Sequence, residues 1–319
     1  MQFLKSFLKR KSRGVVALSF TAEGVAVAIS NYGANNSRTL IFCNFIYTNK
    51  KIDSLKELVA THDLSNYDCH IVLSTEDYRL ITLESPMLDD PDETLAAIRW
   101  KIADLIDFPS NDALLDYYPM PISERANSLT MIEVVAAPKS SVQGLIDLCH
   151  LCNLNITSVT IQETSLRNLS TLLTDSERGA VLLHLQKNSG HLLITHNNII
   201  HLNRKIASGF ERLNDAGSLS VEQLKIEQNS LALEIQRSKD HVVSLYNFAS
   251  NTELTVLPTP YNTQGILNFL INEHGITARI LDLSTLIDGS VILNDSTQAM
   301  CAPVIGATLH YGLSEEVDS

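Results

Sequence analysis

The chain has 319 residues, 45% of them apolar, enough for two lobes or one large α/β unit around a buried core; global disorder is excluded. The formal net charge is −12, yet the first 13 residues hold five basic residues and no acid, so the other 306 carry −17. A body that acidic repels a nucleic-acid backbone, which argues against nucleic acid as a partner.

Residues 1–13, MQFLKSFLKRKSR, set Phe3, Leu4, Phe7 and Leu8 against Lys5, Lys9, Arg10, Lys11 and Arg13. Such a helix suits an anionic membrane surface, each cation contributing about 1 kcal/mol near the lipid. The equal alternative is a helix packed on its own domain with a solvated basic end. Charge arrives too early for a signal peptide, and no run of the sequence is long and apolar enough to span a bilayer.

Two apolar runs, 15–20 and 25–30, flank Thr21-Ala22-Glu23-Gly24 and predict a hairpin, which 40–47 extends to a meander. A helix over 51–61 and a buried strand over 69–74 follow. Residues 78–157 read as strand, helix, strand, strand, helix: 78–86, a helix capped by Asp92 and stopped by Pro109, strands 113–118 and 130–137, then a helix over 142–151. A strand is expected at 156–161. The segment 179–207 repeats the opening meander, followed by a helix over 221–249, strand 254–257, helix 263–274 and strand 278–282. The closing stretch is APVIGATLHYGL, 302–313. Two halves that each open on a meander and continue as alternating helix and strand predict a duplicated α/β fold of two lobes around a cleft.

Five cysteines, an odd number without disulfide-like spacing, predict free thiols in a reducing compartment. The lone CHLC at 149–152 lacks a second ligand pair for zinc and is expected to be buried. Four histidines, His184, His191, His196 and His201, crowd the second meander. Strand alternation puts the first two on one face and the last two on the other, so three zinc ligands do not converge; no metal site is expected. No G-x-S-x-G and no Gly-rich phosphate loop is present.

Several stretches carry a family resemblance. LAAIRWKIADLIDFPSNDALLDYYPMP, 95–121, resembles the acidic and aromatic helix, Phe-Pro stop and Asp-Tyr strand of the PilM family of pilus-assembly proteins, and of its MSHA-pilus branch in particular. LALEIQRSKDHVVSLYNF, 231–248, is similar to that family's helix with Glu234, Arg237 and Ser238. NRKIASGFERL, 203–213, resembles its Arg-to-Gly segment with Arg204 and Gly209, and the closing stretch resembles its last helix with Gly306. The resemblance covers nearly the whole chain from Arg13. It implies an actin-like ATPase (RNase H-like) fold with 14–77 opening the first lobe, 78–157 an inserted subdomain, and 158–319 the second lobe, its last helix returning toward the first. It also implies a cytoplasmic protein, peripheral to the inner membrane. The groove of its insertion against the first lobe would receive the cytoplasmic tail of a bitopic partner, PilN-like or, in the MSHA branch, MshJ-like, among other pilus-assembly components. The related GspL fold of type II secretion carries an appended membrane span.

An actin-like ATPase grips phosphate with two hairpins whose small residues let backbone N–H groups approach and whose acids hold a metal. Here the first reads LSFTAEG, with Ser19 in place of the acid, bulky Phe20, and Thr21; the second has His184-Leu185-Gln186. The family's Gly-Gly after the arginine is Ser208-Gly209, and the pair expected at the adenosine is Pro258-Thr259. Without the carboxylates phosphoryl transfer loses its charge stabilisation. The residues therefore predict no enzyme and no obligatory cofactor, with ATP bound weakly and without turnover as the open alternative; an active ATPase is the rival reading.

The acids Asp89, Asp90, Asp92 and Glu93, continued by Asp104, Asp107, Asp112 and Asp116, suit a basic juxtamembrane peptide. Trp100 lies about 200° around the wheel from the Ile98 and Ile102 stripe. It is expected to pack against the first lobe beside the groove, the alternative being an interface anchor. With Arg99, and with Tyr117 and Tyr118, one of which should face outward, it completes the expected partner surface.

Overall fold

In β1 (Gly14–Phe20) every residue is buried, which alternation cannot explain and a strand covered on both faces does. β2 (Gly24–Tyr32) and β3 (Arg38–Tyr47) complete an antiparallel meander, α1 (Lys51–His62) crosses over, and β4 (Asp68–Val72) returns parallel to β1. The order is β3-β2-β1-β4-β8, closed by β8 (Asn155–Thr160). The second lobe repeats it. β9 (Ala180–Leu185), β10 (Gly190–His196) and β11 (Ile199–Ile206) form the meander, and β12 (Leu254–Val256) and β13 (Ala278–Ile280) join in parallel, in the order β11-β10-β9-β12-β13. The duplication read from the sequence is therefore present strand for strand. This computed structural model describes residues 12–33, 37–123, 129–173, 179–213, 220–246, 248, 253–261, 263–287, 289 and 291–309. Lys5, Lys9, Arg10 and Lys11 lie outside the described residues, as does the end of the closing stretch.

Between the two sheets lie two helices, α4 (Gln162–Ser170) against the second sheet and α8 (Asp295–Thr308) against the first. The residues of α8 are buried from Gln298 onward apart from half-buried Met300, as expected for a helix apolar on every side. Small residues on the inner face of the first sheet, Ala17, Ala26 and Ala28, give it room. One core thus joins both lobes, with Leu166, Leu182, Leu193, Cys301 and Ile305 in contact through it. Gly306 sits where α8 crosses α4: a Cβ there would stand 2.1 Å from Ser165 O. The outer faces have their own cores, α1 and α3 (Lys139–Leu151) on the first sheet, and the short α5 (Phe210–Leu213), α6 (Val221–Tyr246) and α7 (Thr263–His274) on the second.

The insertion is a three-stranded antiparallel sheet, β5 (Arg79–Glu84), β7 (Met131–Pro138) and β6 (Ala113–Pro119) in that order, with α2 (Pro91–Lys101) on one face. Its chain order is strand, helix, strand, strand. α3, counted with 78–157 in the sequence, places Val142 and Cys149 in the core of the first lobe. Two boundaries of α2 differ from expectation. Asp90 rather than Asp92 is the cap, accepting from the Asp92 and Glu93 amides at 2.7 and 3.3 Å, because Pro91 at the first helical position needs no donor partner. The helix stops at Lys101, well before Pro109. The chain then turns, so that Ile106 and Phe108 join Ile98 and Ile102 on the sheet.

Arg13, expected in the basic tail, begins the first lobe: its amide donates to Asn66 O at 3.0 Å and its guanidinium to Asp63 at 2.9 Å. All five cysteines are buried and free, including Cys149 and Cys152.

Candidate functional site

The tips of the two meanders face each other across a cleft of about 460 Å³, lined among others by Ser19, Thr21, Gln162, Gln186 and Lys187, with α8 behind. Several backbone groups of each tip are engaged within the protein. The Thr21 amide donates to Gly24 O at 3.0 Å and the Gly24 amide to Thr21 Oγ1 at 3.2 Å. In the second tip Gln186 N–H donates to Ser189 O at 2.7 Å, and the Phe210 and Glu211 amides donate to the Gln186 and Lys187 carbonyls at 2.8 and 3.2 Å. Gly209 is required for that docking, because a Cβ would meet Lys187 O at 2.3 Å and Gln186 O at 2.4 Å. Lys187 Nζ then reaches Glu23 Oε1 at 2.8 Å and ties the two tips together across the mouth.

The expected cleft residues separate in space. Ser19 and Thr21 line the cleft, and Gly209 stands directly behind the Gln186–Ser189 turn. His184 is buried, and its Nε2–H donates to Ala299 O at 3.1 Å. That carbonyl needs the bond: Pro303, four residues on in α8, has no N–H to give it. Burial pushes the His184 imidazole down to about 4, so it is neutral. Thr259 is a turn residue, its amide donating to Thr263 Oγ1 at 3.0 Å and its hydroxyl to Tyr261 O at 3.0 Å. Gly306 belongs to the helix crossing. Neither of these two lines the cleft.

Phe20 does line the cleft, although its ring is packed in the core of the first lobe and little of it is exposed there. The case against a metal triphosphate rests on charge instead. At the two positions where a carboxylate would hold a cation, Ser19 is buried and His184 is turned to Ala299 O, while Gln186, at the glycine position, donates its side-chain amide to Gln162 Oε1 at 3.0 Å. Sequence reasoning missed two acids on the cleft wall, Glu76 and Asp77. Asp77 closes its own turn by accepting the Ser74 amide at 3.2 Å. Neither hairpin offers a carboxylate at the expected position, and the described residues contain no cluster of three or more His, Cys, Asp or Glu suited to a metal. His184 and His191 pair across β9 and β10, whereas the His196 and His201 rings lie 5.7 Å apart beside Phe248, as alternation predicts.

On the insertion, Trp100 is 83% exposed, so it does not pack against the first lobe. An 11-residue helix on a three-stranded sheet buries one stripe, through Thr94 and Ile98, and the residue far around the wheel points to water. The nearby cations are occupied. Arg99 donates to the Ser110 carbonyl and to Ala113 O at 2.9 Å, and Lys101 to Glu84 O at 3.1 Å. Glu93, two turns back on the same side of α2, and Asp104 and Leu105 just past its end are exposed, whereas Asp116 and Leu114 are exposed on β6 in step with Tyr118, on the face turned away from α2. Tyr117 is half-buried in the core under α2, and Tyr118 is half-buried on the opposite face against both lobe cores; neither is simply outward.

No family model matches the sequence, and no curated protein does. Solved structures do. A PilM-PilN type IV pilus biogenesis complex aligns with a TM-score of 0.70 at 16% identity, covering 94% of this chain and 98% of that one. The cytoplasmic domain of EpsL, an inner membrane component of the type II secretion system of Vibrio cholerae, aligns with a TM-score of 0.51 at 10% identity, over 93% and 95%. A Bacteroides thetaiotaomicron protein of unknown function with an actin-like ATPase fold gives 0.50 at 12% identity, over 89% and 95%. The chain therefore has the actin-like ATPase fold. Among the described residues, no helix is long and apolar enough to cross a membrane.

Proposed function

We propose that this chain is a non-catalytic scaffold of a type IV pilus assembly machine of MSHA type, an MshI-like protein. It works on the cytoplasmic side of the inner membrane and docks the tail of a PilN- or MshJ-like bitopic partner. The observation that carries the reading is the insertion: a tryptophan 83% exposed on a helix whose start, Asp90, Asp92 and Glu93, is exposed and acidic. An exposed indole set in negative charge suits a basic, partly apolar peptide, since aromatic anchors supply much of the energy of such interfaces. The likeness to the pilus complex supports the class of partner. The cleft, tied at its mouth by Lys187 and Glu23 and with no carboxylate at Ser19 or His184, supports a fold retained for its surface. Lys5, Lys9, Arg10 and Lys11 add a second, electrostatic attachment to anionic lipid.

Titration with a synthetic cytoplasmic tail of the neighbouring bitopic protein tests this. Saturable binding with a change in Trp100 fluorescence is expected, and folded protein that shows none refutes it. A second reading, a nucleotide-binding switch of the same complex, rests on the cleft volume of about 460 Å³, which is within the range of small-molecule sites. A thermal shift with ATP and magnesium that a chelator removes would favour it.

A further inference from the structure

The face of the insertion sheet opposite α2 carries a row formed by register, Thr82 on β5, Glu133 on β7 and Tyr118 on β6. This row looks into a trough of about 580 Å³ between the insertion and the second lobe, lined by Tyr78, Thr82, Glu133, Glu163, His191 and Asn203. At Thr82, Glu133 and Asn203 the trough continues into a second of about 550 Å³ with Met120, Met131, Leu202 and Leu245 on its walls. Two outer strands flank both parts, β5 of the small sheet and β11 of the second lobe. Among the described residues each is the end strand of its sheet, the feature to which an extended peptide adds.

The acidic half is charged in an unusual way. Glu163 is 1% exposed and Glu133 9%. Glu163 receives the Tyr78 hydroxyl at 2.5 Å, whereas Glu133 receives only a long bond from Thr82 at 3.4 Å. Among the described residues neither carboxylate is ion-paired to lysine or arginine. Arg79 at the mouth is paired with Asp107, Arg167 donates to Asn168, and Lys205 is exposed. The His191 side chain, 4% exposed, lines the trough with neither ring nitrogen in a hydrogen bond of proper geometry. Its Nδ1 lies 3.5 Å from Glu163 Oε1, with the Asn203 side chain close by. Tyr118 Oη and Asn203 Oδ1 are likewise unsatisfied. Burial raises Glu133 to about 7, with the Glu163 charge adding to it, and burial raises Glu163 as well.

We propose that this trough binds an extended segment of a partner protein that carries an arginine, its guanidinium entering between Glu133 and Glu163 and its apolar neighbours resting on the methionine-lined half. Buried carboxylates without a counter-ion are costly, and an incoming cation converts that cost into specificity. A guanidinium, with five donors in a planar fork, matches two carboxylates and the Asn203 carbonyl better than a single ammonium does. The end strands β5 and β11 select a peptide over a small polyamine, and methionine walls adapt to varied apolar side chains. The inference rests on the docking reading above for the nature of the partner. It concerns a different surface, because Trp100 lies on the other face of the small sheet.

Binding should displace the proton held on Glu133. The groups that face this carboxyl are Thr82 from β5, Tyr118 from β6, Glu163 and Arg167 from α4, His191 from β10, and Asn203 and Lys205 from β11. Calorimetry near pH 6.5 in phosphate and in imidazole, buffers of unlike ionisation heat, measures that proton. The probe is a capped peptide of leucine and serine with one central arginine, beside its citrulline analogue. The arginine peptide is expected to bind about tenfold or more tighter than citrulline and to release about one proton. Glu133→Gln, which keeps the volume, should remove the proton release and most of the preference, and Trp100→Ala should change neither. A carboxyl NMR titration of the wild-type chain should show the Glu133 pKa falling on saturation. Absence of saturable binding, equal binding of the two peptides, or unchanged proton release in Glu133→Gln overturns the proposal. A partner tail that binds at Trp100 while the arginine peptide fails would sink this site and leave the docking reading standing.

Discussion

Replacing Gly306 by alanine adds one methyl group at the crossing of α4 and α8, the layer that joins the lobes. The new Cβ would lie 2.1 Å from Ser165 O, 2.8 Å from Ser165 C and 3.2 Å from Leu169 Cγ. A carbon and a carbonyl oxygen rest at about 3.3 Å, so the helices would have to part by about 1.2 Å. The nearest neighbours are backbone atoms, which cannot swing aside. Parting also strains the bond from Asn168 Nδ2 to Gly306 O at 3.1 Å. Overpacking of this kind costs about 1–3 kcal/mol, sometimes more, and the better helix propensity of alanine returns up to about 1 kcal/mol. A net loss on the order of 2 kcal/mol is expected, read as a lower urea midpoint at unchanged slope. Gly144 provides the comparison: it lies in α3, and a Cβ there meets nothing within 4 Å. Gly144→Ala should therefore stabilise by about 0.5–1 kcal/mol. If the two substitutions shift the midpoint in the same direction by the same amount, the close crossing is not what fixes glycine at 306.

The bond from His184 to the carbonyl left free by Pro303 should be worth about 1–3 kcal/mol, so His184→Leu lowers the urea midpoint although the site is apolar. His184 and His191 are both held down to about 4, below the unfolded value of 6.5, and so remain neutral in the fold. Their contribution is complete above pH 6.5 and is lost as pH falls toward 4, which paired urea titrations of the wild type and His184→Leu would register. Glu133 has the opposite sign: raised from 4.5 to about 7, it keeps a proton that the unfolded chain gives up, so stability falls as pH rises through that interval. Glu133→Gln should stabilise the protein at pH 8 by up to about 3 kcal/mol and change little at pH 4. Trp100→Ala should leave stability within about 0.5 kcal/mol, as for an exposed side chain, while Arg99→Ala, which releases the Ser110 and Ala113 carbonyls, should cost about 1–2 kcal/mol. Thermal denaturation of both variants checks the pair.

The repeated meander was legible because runs of buried apolar residues broken by short turns are local signals, and each strand of both lobes except β8 pairs with a sequence neighbour or with the first strand of its own lobe. The helix of the insertion was legible for its apolar stripe, but not for its cap or its end. Asp90 and Asp92 are equivalent as sequence until Pro91 is placed, and Pro109 is a stop that the chain never reaches as a helix. Trp100 was misplaced because a wheel shows which side a residue takes and not whether anything stands there. The roles of Gly209, Gly306 and His184 depend on partners 20 or more residues away: the Gln186–Asn188 backbone, Ser165 and Ala299.

The two-fold repeat, the insertion and the lack of a carboxylate at Ser19 and His184 are legible in the sequence, since hydrophobic period, turn chemistry and residue type are properties of short stretches. That Lys187 meets Glu23, that Pro303 makes work for His184, and that Glu133 and Glu163 share a trough with neither paired to lysine or arginine among the described residues follows from the folded chain alone. The physical reason is that close approach and desolvation arise between distant segments. A carboxylate in solution and a carboxylate shut between two lobes are written with the same letter.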